Sequence, residues 1–65
     1  MGRTVRMLRE KRELSQEKFA ELTGHHRTYI GMLERGQRTP NVHTILKIAN
    51  ALDMTISELF EKAGL

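Results

Sequence analysis

Apolar residues recur three and four positions apart along most of the chain, which is the spacing of helices that bury one face. The alternation of apolar and polar residues that a half-buried strand requires is missing, and the β-branched residues are scattered. The pattern therefore predicts an all-α fold. Five helices are expected, over about residues 3–12, 16–23, 27–35 and 42–52, and from residue 55 onward.

Capping residues mark the boundaries of these helices. Ser15 and Asn41 precede the second and fourth helices and are expected N-caps. Gly24 and Gly36 follow the second and third helices, where a left-handed glycine commonly ends a helix. The fifth helix opens with TISE, residues 55–58, a capping box in which the threonine hydroxyl accepts from the glutamate amide and the carboxylate reaches back.

The same spacing identifies the residues that should form the core, including a broad apolar stripe on the fourth helix that is expected to be mostly buried. The expected inward positions are Val5, Leu8, Phe19, Ala20, Leu22, Ile30, Leu33, Val42, Ile45, Leu46, Ile48, Ala49, Leu52, Ile56 and Leu59. The 65 residues make a single domain, 1–65. Because folding at this length buries only about 60% of the unfolded surface, the monomer should be marginally stable.

The third helix carries polar residues on the side that faces away from the core. Ile30 and Leu33 define the buried face of this helix. The opposite side lies about 140° to 200° around the helix axis from Ile30. The residues on that side are Thr28, Met32 and Arg35. Arg27 lies in the first turn, where the helix dipole favours anions, so something other than helix stability accounts for it.

A helix, a short turn and a second helix that presents Arg27 and Thr28 from its first turn fit the geometry that enters a DNA major groove. There an arginine can bond guanine O6 and N7 together, and a threonine can contact a thymine methyl group or a phosphate. A surface arginine that only keeps a small helix soluble is the alternative.

Charge is placed unevenly along the chain. Residues 1–40 carry nine Lys/Arg and five Asp/Glu, a net charge of +4, whereas residues 41–65 carry two and three, a net charge of −1. The basic part either faces an anionic partner such as nucleic acid or forms a solvated surface. There is no cysteine, no apolar run near the roughly 20 residues of a membrane span and no signal-peptide pattern, so we expect a cytoplasmic protein without a membrane partner.

Two opposite charges are predicted to meet inside the fold. The helical spacing places Glu34 on the inward side of the third helix and Arg9 on the inward side of the first. Because a lone inward carboxylate would be costly, a partly buried ion pair between them is expected, with two solvated surface charges as the alternative.

The remaining polar residues do not indicate catalysis or metal binding. His25 and His26 are adjacent and diverge on a helix, and no acid or cysteine lies at ligand spacing beside them. Ser15 and Ser57 are accounted for as helix-start residues, and so short a chain has little room for a closed active site. We expect no enzyme activity, no metal, no cofactor and no small-molecule ligand.

The segment SQEKFAELTGHHRTYIGMLERGQRTP, residues 15–40, resembles the core of the Cro/repressor (XRE-like) helix-turn-helix family, and the match extends over about residues 5–60. Within that family, RTYI followed by ER and a further arginine is similar to the controller proteins of restriction-modification systems. The resemblance implies a five-helix, lambda-repressor-like DNA-binding domain whose helix-turn-helix comprises the second and third helices.

The resemblance also implies roles for individual residues, and it includes the ion pair of Arg9 and Glu34. The residues implied to face base edges are Arg27 and Thr28, with His26, Met32 and Arg35 nearby. Those implied to contact the sugar-phosphate backbone are Ser15, Gln16, Tyr29, Arg38, Thr39, Asn41 and His43. The backbone contacts position the domain, and Arg27 and its neighbours specify the sequence.

The chain departs from its relatives at three points. Glu13 stands where most members have Gly or Asn, at a cost of about 1 kcal/mol if the backbone there is left-handed. His26 replaces a small N-capping hydroxyl and is expected to cap poorly, so the third helix should fray without DNA. Separately, protonation of His26 or His43 near a phosphate would tighten DNA binding at lower pH. Gly31 costs up to about 1 kcal/mol relative to alanine and has no side chain to read a base.

One helix in one groove reads only about four to six base pairs, so a two-fold homodimer on a pseudo-palindromic operator is expected, with half-sites about 34 Å apart. Ile56 and Leu59 are assigned to the core, and Phe60, Ala63 and Leu65 to the dimer interface. The sequence thus predicts a sequence-specific transcriptional regulator that represses, or at some promoters activates. A protein-interaction module of the same fold, antitoxin-like or polymerase-binding, is the alternative.

Overall fold

Five helices occupy residues 1–64, the part of the chain that the computed structural model describes: α1 (Gly2–Lys11), α2 (Gln16–Thr23), α3 (Arg27–Glu34), α4 (Val42–Ala51) and α5 (Ile56–Lys62). The same residues contain no strand, so the all-α prediction is confirmed. Helix ends fall within one or two residues of those expected. None of the described helices is both long and apolar enough to span a membrane.

Side-chain caps begin three of the helices as the sequence predicts. Ser15 Oγ, Asn41 Oδ1 and Thr55 Oγ1 each accept a hydrogen bond from the backbone N–H of the third residue of their helix, over 3.0, 2.8 and 3.0 Å. The Glu58 carboxylate accepts in return from the Thr55 N–H over 2.9 Å, which completes the capping box. These bonds satisfy amides that would otherwise lack a partner at the helix start.

Residues in the left-handed conformation follow the ends of the first four helices. Gly24 and Gly36 have φ angles of 75° and 77°, and both end a helix where the sequence predicts. Glu13 also has a positive φ, 57°, so the strain anticipated for a residue with a Cβ atom is present there. Asp53 adopts the same conformation at φ 60° after α4.

The core lies where all five helices meet. α2 packs against both α3 and α4, α1 against α3, and α4 against α5. The buried apolar residues are Val5, Phe19, Ala20, Ile30, Leu33, Ile48, Ala49, Leu52 and Leu59. Each helix contributes at least one of them, so the position of α3 is fixed by packing on its inner face.

Three residues assigned to the core are exposed instead. Leu22 is 50%, Val42 75% and Leu46 44% exposed, so their assignment was wrong. On α2 the buried arc runs from Phe19 to Ala20 and includes Thr23, whereas Leu22 lies outside that arc. On α4 the buried side contains Thr44, Ile48 and Ala49, and Val42 and Leu46 lie on the side that faces solvent.

Candidate nucleic-acid interface

The turn between α2 and α3 is short and capped at both ends. Gly24 ends α2 in the left-handed conformation, and His26 begins α3 as its N-cap. His26 Nδ1 accepts the Thr28 N–H over 3.0 Å. His26 therefore does cap α3, with an imidazole nitrogen in place of the usual hydroxyl as acceptor. Fraying of α3 without DNA stays a prediction.

The outer side of α3 is open to solvent while its inner side is buried. Ile30 and Leu33 are fully enclosed by the core, as the helical spacing predicts. Arg27, Thr28 and Arg35 are exposed. Met32, a half-buried residue, lies between them along the sequence. The exposed side chains are therefore carried by a helix whose opposite face is anchored.

Two aromatic rings and a guanidinium group lie together on the flank of α3. The rings of His25 and Tyr29 are stacked, with centroids 4.8 Å apart and planes inclined by 29°. The Arg38 guanidinium carbon lies 5.8 Å from the Tyr29 ring centroid, which is within cation–π range. Tyr29 and Arg38, both expected at phosphates, are thus brought side by side. The stacking of His25 on Tyr29 was not predicted.

A buried polar network joins three helices behind the exposed face. Arg9 Nε lies 2.7 Å from Glu34 Oε2 and Arg9 Nη2 lies 3.2 Å from Oε1, and the two side chains are only 8% and 2% exposed. Gln16 Nε2 donates to Glu34 Oε1 over 3.1 Å, and Arg9 Nη1 donates to the Leu14 carbonyl. The ion pair that the sequence predicts is present, and Gln16 additionally ties the start of α2 to α3.

Gly31 lies beneath the side chain of Arg35. A Cβ atom on Gly31 would be 3.1 Å from Arg35 Nη1 and 3.7 Å from Gln16 Oε1. Arg35 Nε also donates to Gln37 Oε1 over 3.2 Å. Gly31 is itself buried, so the surface here is formed by the two side chains that lie over it. The sequence predicted the cost of this glycine for the helix but not the space it leaves.

The remaining sites assigned by resemblance lie at the start of α2 and around the loop before α4. Ser15, Gln16 and Arg27 line a shallow depression of about 470 Å³ together with Lys18, Glu17 and Glu21. Thr39, Asn41 and His43 are exposed around the start of α4. The Asn41 side-chain oxygen is engaged in the cap, which leaves the amide nitrogen as its available donor.

The C-terminal helix presents part of its apolar surface. Leu59 is fully buried and Ile56 packs against the core, in agreement with their assignment. Within residues 1–64, Phe60 and Ala63 are half-buried and belong neither to the core cluster nor to the apolar residues packed on it. Leu65, the third residue assigned to the dimer interface, lies outside the described residues.

Comparison with known proteins places this geometry in a family. The Helix-turn-helix family model HTH_3 matches residues 5–59. Control protein C.SmaI of Serratia marcescens is 40% identical over 65 residues, covering 100% of this chain and 77% of the relative. Control protein C.BamHI of Bacillus amyloliquefaciens is 41% identical over 61 residues, covering 92% and 75%.

A solved structure agrees with this grouping. The crystal structure of the restriction-modification controller protein C.AhdI from Aeromonas hydrophila superposes with a TM-score of 0.87 at 49% identity, covering 91% of this chain and 89% of that one. The fold and the family resemblance expected from residues 15–40 are confirmed.

Proposed function

The chain belongs to the helix-turn-helix family HTH_3, and from that premise we propose that it is a DNA-binding transcriptional regulator that inserts α3 into the major groove. The observation that carries the proposal is the exposed row of Arg27, Thr28 and Arg35 on a helix held from behind by the core. A recognition helix needs this arrangement, because its side chains must reach base edges while its backbone stays fixed.

Base reading is assigned to the outer face of α3. Arg27 in the first turn has the length and the fork of donors to bond guanine O6 and N7, and Thr28 beside it can contact a thymine methyl group. Arg35, held over Gly31, supplies a second guanidinium group about two turns further along. His26 and Met32 border these residues and complete the base-facing set.

Phosphate binding is assigned to the groups around that face. Tyr29 and Arg38 lie together on one flank, and the start of α2 with Ser15 and Gln16 lies on another. Exposed donors at the start of α4 add a third group: Thr39, Asn41 and His43. Such contacts fix the orientation of the domain on the duplex without reading its sequence.

The protein is proposed to act as a homodimer on a pseudo-palindromic operator. The eight residues of α3 span only about 12 Å, which limits one subunit to a short half-site. Phe60 and Ala63, half-buried outside the core, offer an apolar surface for the partner. Two subunits would place their recognition helices about 34 Å apart, one turn of the duplex.

The relatives named above are control or controller proteins, so we assign this chain to the same regulatory class: a cytoplasmic repressor, or at some promoters an activator, that acts by occupying its operator. Regulation would follow protein concentration, because dimerisation and DNA binding are coupled, and the proposal includes no cofactor or small-molecule effector.

Selection of bound duplexes from a random pool with the purified protein tests this proposal. The expected result is an enriched two-fold symmetric sequence with half-sites about one helical turn apart. Binding to it, followed by mobility shift, should weaken steeply with salt. A pool without enrichment would instead favour a protein-interaction module, for which the exposed apolar side chains of Val42 and Leu46 would be the surface to examine.

A further inference from the structure

We propose that a cationic cleft between the start of α1 and the end of α3 binds a phosphate group of the DNA backbone. Three arginines line this cleft, Arg3 and Arg6 from α1 and Arg35 from α3, and its volume is about 500 Å³. The inference rests on the proposed function, and it extends the DNA contact to α1, a helix outside the helix-turn-helix.

The two α1 arginines of the cleft are at most weakly paired with acidic neighbours on their own helix. The first turn of α1 carries no acidic residue. Within residues 1–64, Arg3 forms no ion pair, and Arg6 pairs only with Glu10 over 3.4 Å. Both side chains of that pair are more than half exposed, and exposed pairs of this kind contribute little to stability. Arg6 can therefore exchange Glu10 for a stronger anion.

The one acidic residue that lines the cleft, Glu34, has its carboxylate engaged in the buried network. Glu34 Oε2 accepts from Arg9 Nε over 2.7 Å, and Oε1 accepts from Arg9 Nη2 and from Gln16 Nε2. Because its charge is compensated by a buried guanidinium, Glu34 does not cancel the positive potential of the three arginines. An anion that enters the cleft meets a net positive site.

The cleft is held at a fixed position relative to α3. Gly2 lies so close to the last turn of α3 that a Cβ atom on it would be 2.8 Å from the Glu34 carbonyl oxygen and would also collide with the Leu33 carbonyl. Only a glycine permits this approach of the two backbones. Arg3 is therefore carried by a backbone that rests directly on α3.

Arg35 makes the cleft continuous with the base-facing surface. Its guanidinium group lies over Gly31 on one side, and its side chain lines the cleft on the other. The major groove is about 12 Å wide and α3 is about as long, so when α3 faces bases from Arg27 to Arg35, the cleft that adjoins its far end lies near the phosphates at the groove edge. A backbone phosphate is the anion available there.

The test compares Arg3→Gln with Arg12→Gln, which removes the same charge at the other end of α1. Arg12 lines a different groove, with Leu8 and Met54. Affinities for the selected operator and for an unrelated duplex are measured from about 50 to 200 mM salt, and circular dichroism checks that both variants fold. Loss of one phosphate contact in Arg3→Gln should reduce the slope of log K against log salt by about 0.9. The decrease in affinity between these two salt concentrations should therefore be about threefold smaller for Arg3→Gln than for the wild type.

Arg3→Gln should weaken binding to both duplexes by the same factor, so the ratio of the two affinities stays unchanged. Arg12→Gln should keep the wild-type slope of log K against log salt. Ethylation of one phosphate per half-site should impair the wild-type protein but not Arg3→Gln. If wild-type protein binds its operator and the two variants have the same slope and interference pattern, the cleft inference is overturned and the proposed function stands. If wild-type protein binds no duplex, the proposed function itself fails and the inference with it.

Discussion

Arg9 of α1 and Glu34 of α3 form a buried ion pair, with Arg9 Nε 2.7 Å from Glu34 Oε2 across 25 residues of chain. The carboxylate also accepts from Gln16 at the start of α2. A single buried charge pair thus connects both helices of the helix-turn-helix to α1. Its geometry therefore bears both on folding and on the position of α3.

Removal of one partner of this pair should be strongly destabilising. Glu34→Gln leaves the buried Arg9 with only Glu10, a more than half-exposed carboxylate 4.0 Å away, and we expect a loss of about 3 to 5 kcal/mol in the free energy of unfolding. A domain of this size has only roughly 3 to 10 kcal/mol in total, so the variant should be partly unfolded. Urea denaturation followed by circular dichroism measures the change. Glu21→Gln, at an exposed position on α2, should change stability by less than about 0.5 kcal/mol.

The double variant Arg9→Met with Glu34→Leu is the informative companion. Replacement of both charges by apolar side chains removes the unpaired group, so most of the lost stability should return. A double variant as unstable as Glu34→Gln would show that the hydrogen bonds to Gln16 and Leu14, and not the unpaired charge, dominate the effect.

Arg27 and Arg38 should differ in what they contribute to DNA binding. Arg27→Ala is expected to relax specificity at one base pair of each half-site by about 1 to 3 kcal/mol. Arg38→Ala should weaken binding to all DNA sequences alike and reduce the slope of log K against log salt by about 1, because the proposed contact of Arg38 is a phosphate. Competition mobility shifts with operators substituted at single positions distinguish the two. A uniform loss for Arg27→Ala would remove it from the base-reading set.

Gly31→Ala should separate helix stability from DNA binding. Alanine favours the helix by up to about 1 kcal/mol, so the free energy of unfolding should rise. The added methyl group would be 3.1 Å from Arg35 Nη1 and should displace that side chain, which weakens binding to the operator. In an Arg35→Ala background the substitution should no longer affect affinity. An equal loss in both backgrounds would show that Gly31 acts independently of Arg35.

The capping box gives α5 a defined pH dependence. A hydrogen bond from the Thr55 backbone, assisted by the Thr55 hydroxyl and by Lys62, holds the pKa of the Glu58 carboxyl below its ordinary value of 4.5. Because the pKa is lower in the folded state, the stability it contributes is present above pH 4.5 and is lost as pH falls through the folded value.

Melting temperatures measured from neutral pH downward test this dependence. Glu58→Gln keeps an acceptor for the Thr55 N–H but does not titrate, so its melting temperature should fall less than that of the wild type below pH 4.5. Glu61→Gln, on the exposed surface of the same helix, is the matched control. Parallel curves for Glu58→Gln and wild type would contradict the assignment.

Phe60 should control assembly. Phe60→Glu places a charge on the surface proposed for the partner and is expected to weaken dimerisation at least tenfold, about 1.4 kcal/mol or more, as measured by sedimentation over a range of concentrations. Leu22→Glu, which charges a 50% exposed apolar residue on α2, should leave the dimer intact. Equal dimerisation of wild type and Phe60→Glu would move the interface elsewhere.

The sequence by itself determined the helix boundaries and the buried face of α3. Caps at Ser15, Asn41 and Thr55 act on amides three residues away, so the signal and its effect lie in the same short segment. The burial of Ile30 and Leu33 likewise follows from spacing along one helix. Even the pair of Arg9 and Glu34 could be predicted from the sequence, because each inward charge required a partner.

Only the tertiary structure decided which of several apolar arcs on a helix faces a neighbour, and which side chains share a surface. Leu22 and Val42 fit the helical spacing but point to solvent, because burial depends on where the next helix packs. The bond from Gln16 to Glu34 and the approach of Gly2 to the last turn of α3 join residues distant in sequence. Such contacts arise from the crossing of helices, which no local pattern encodes.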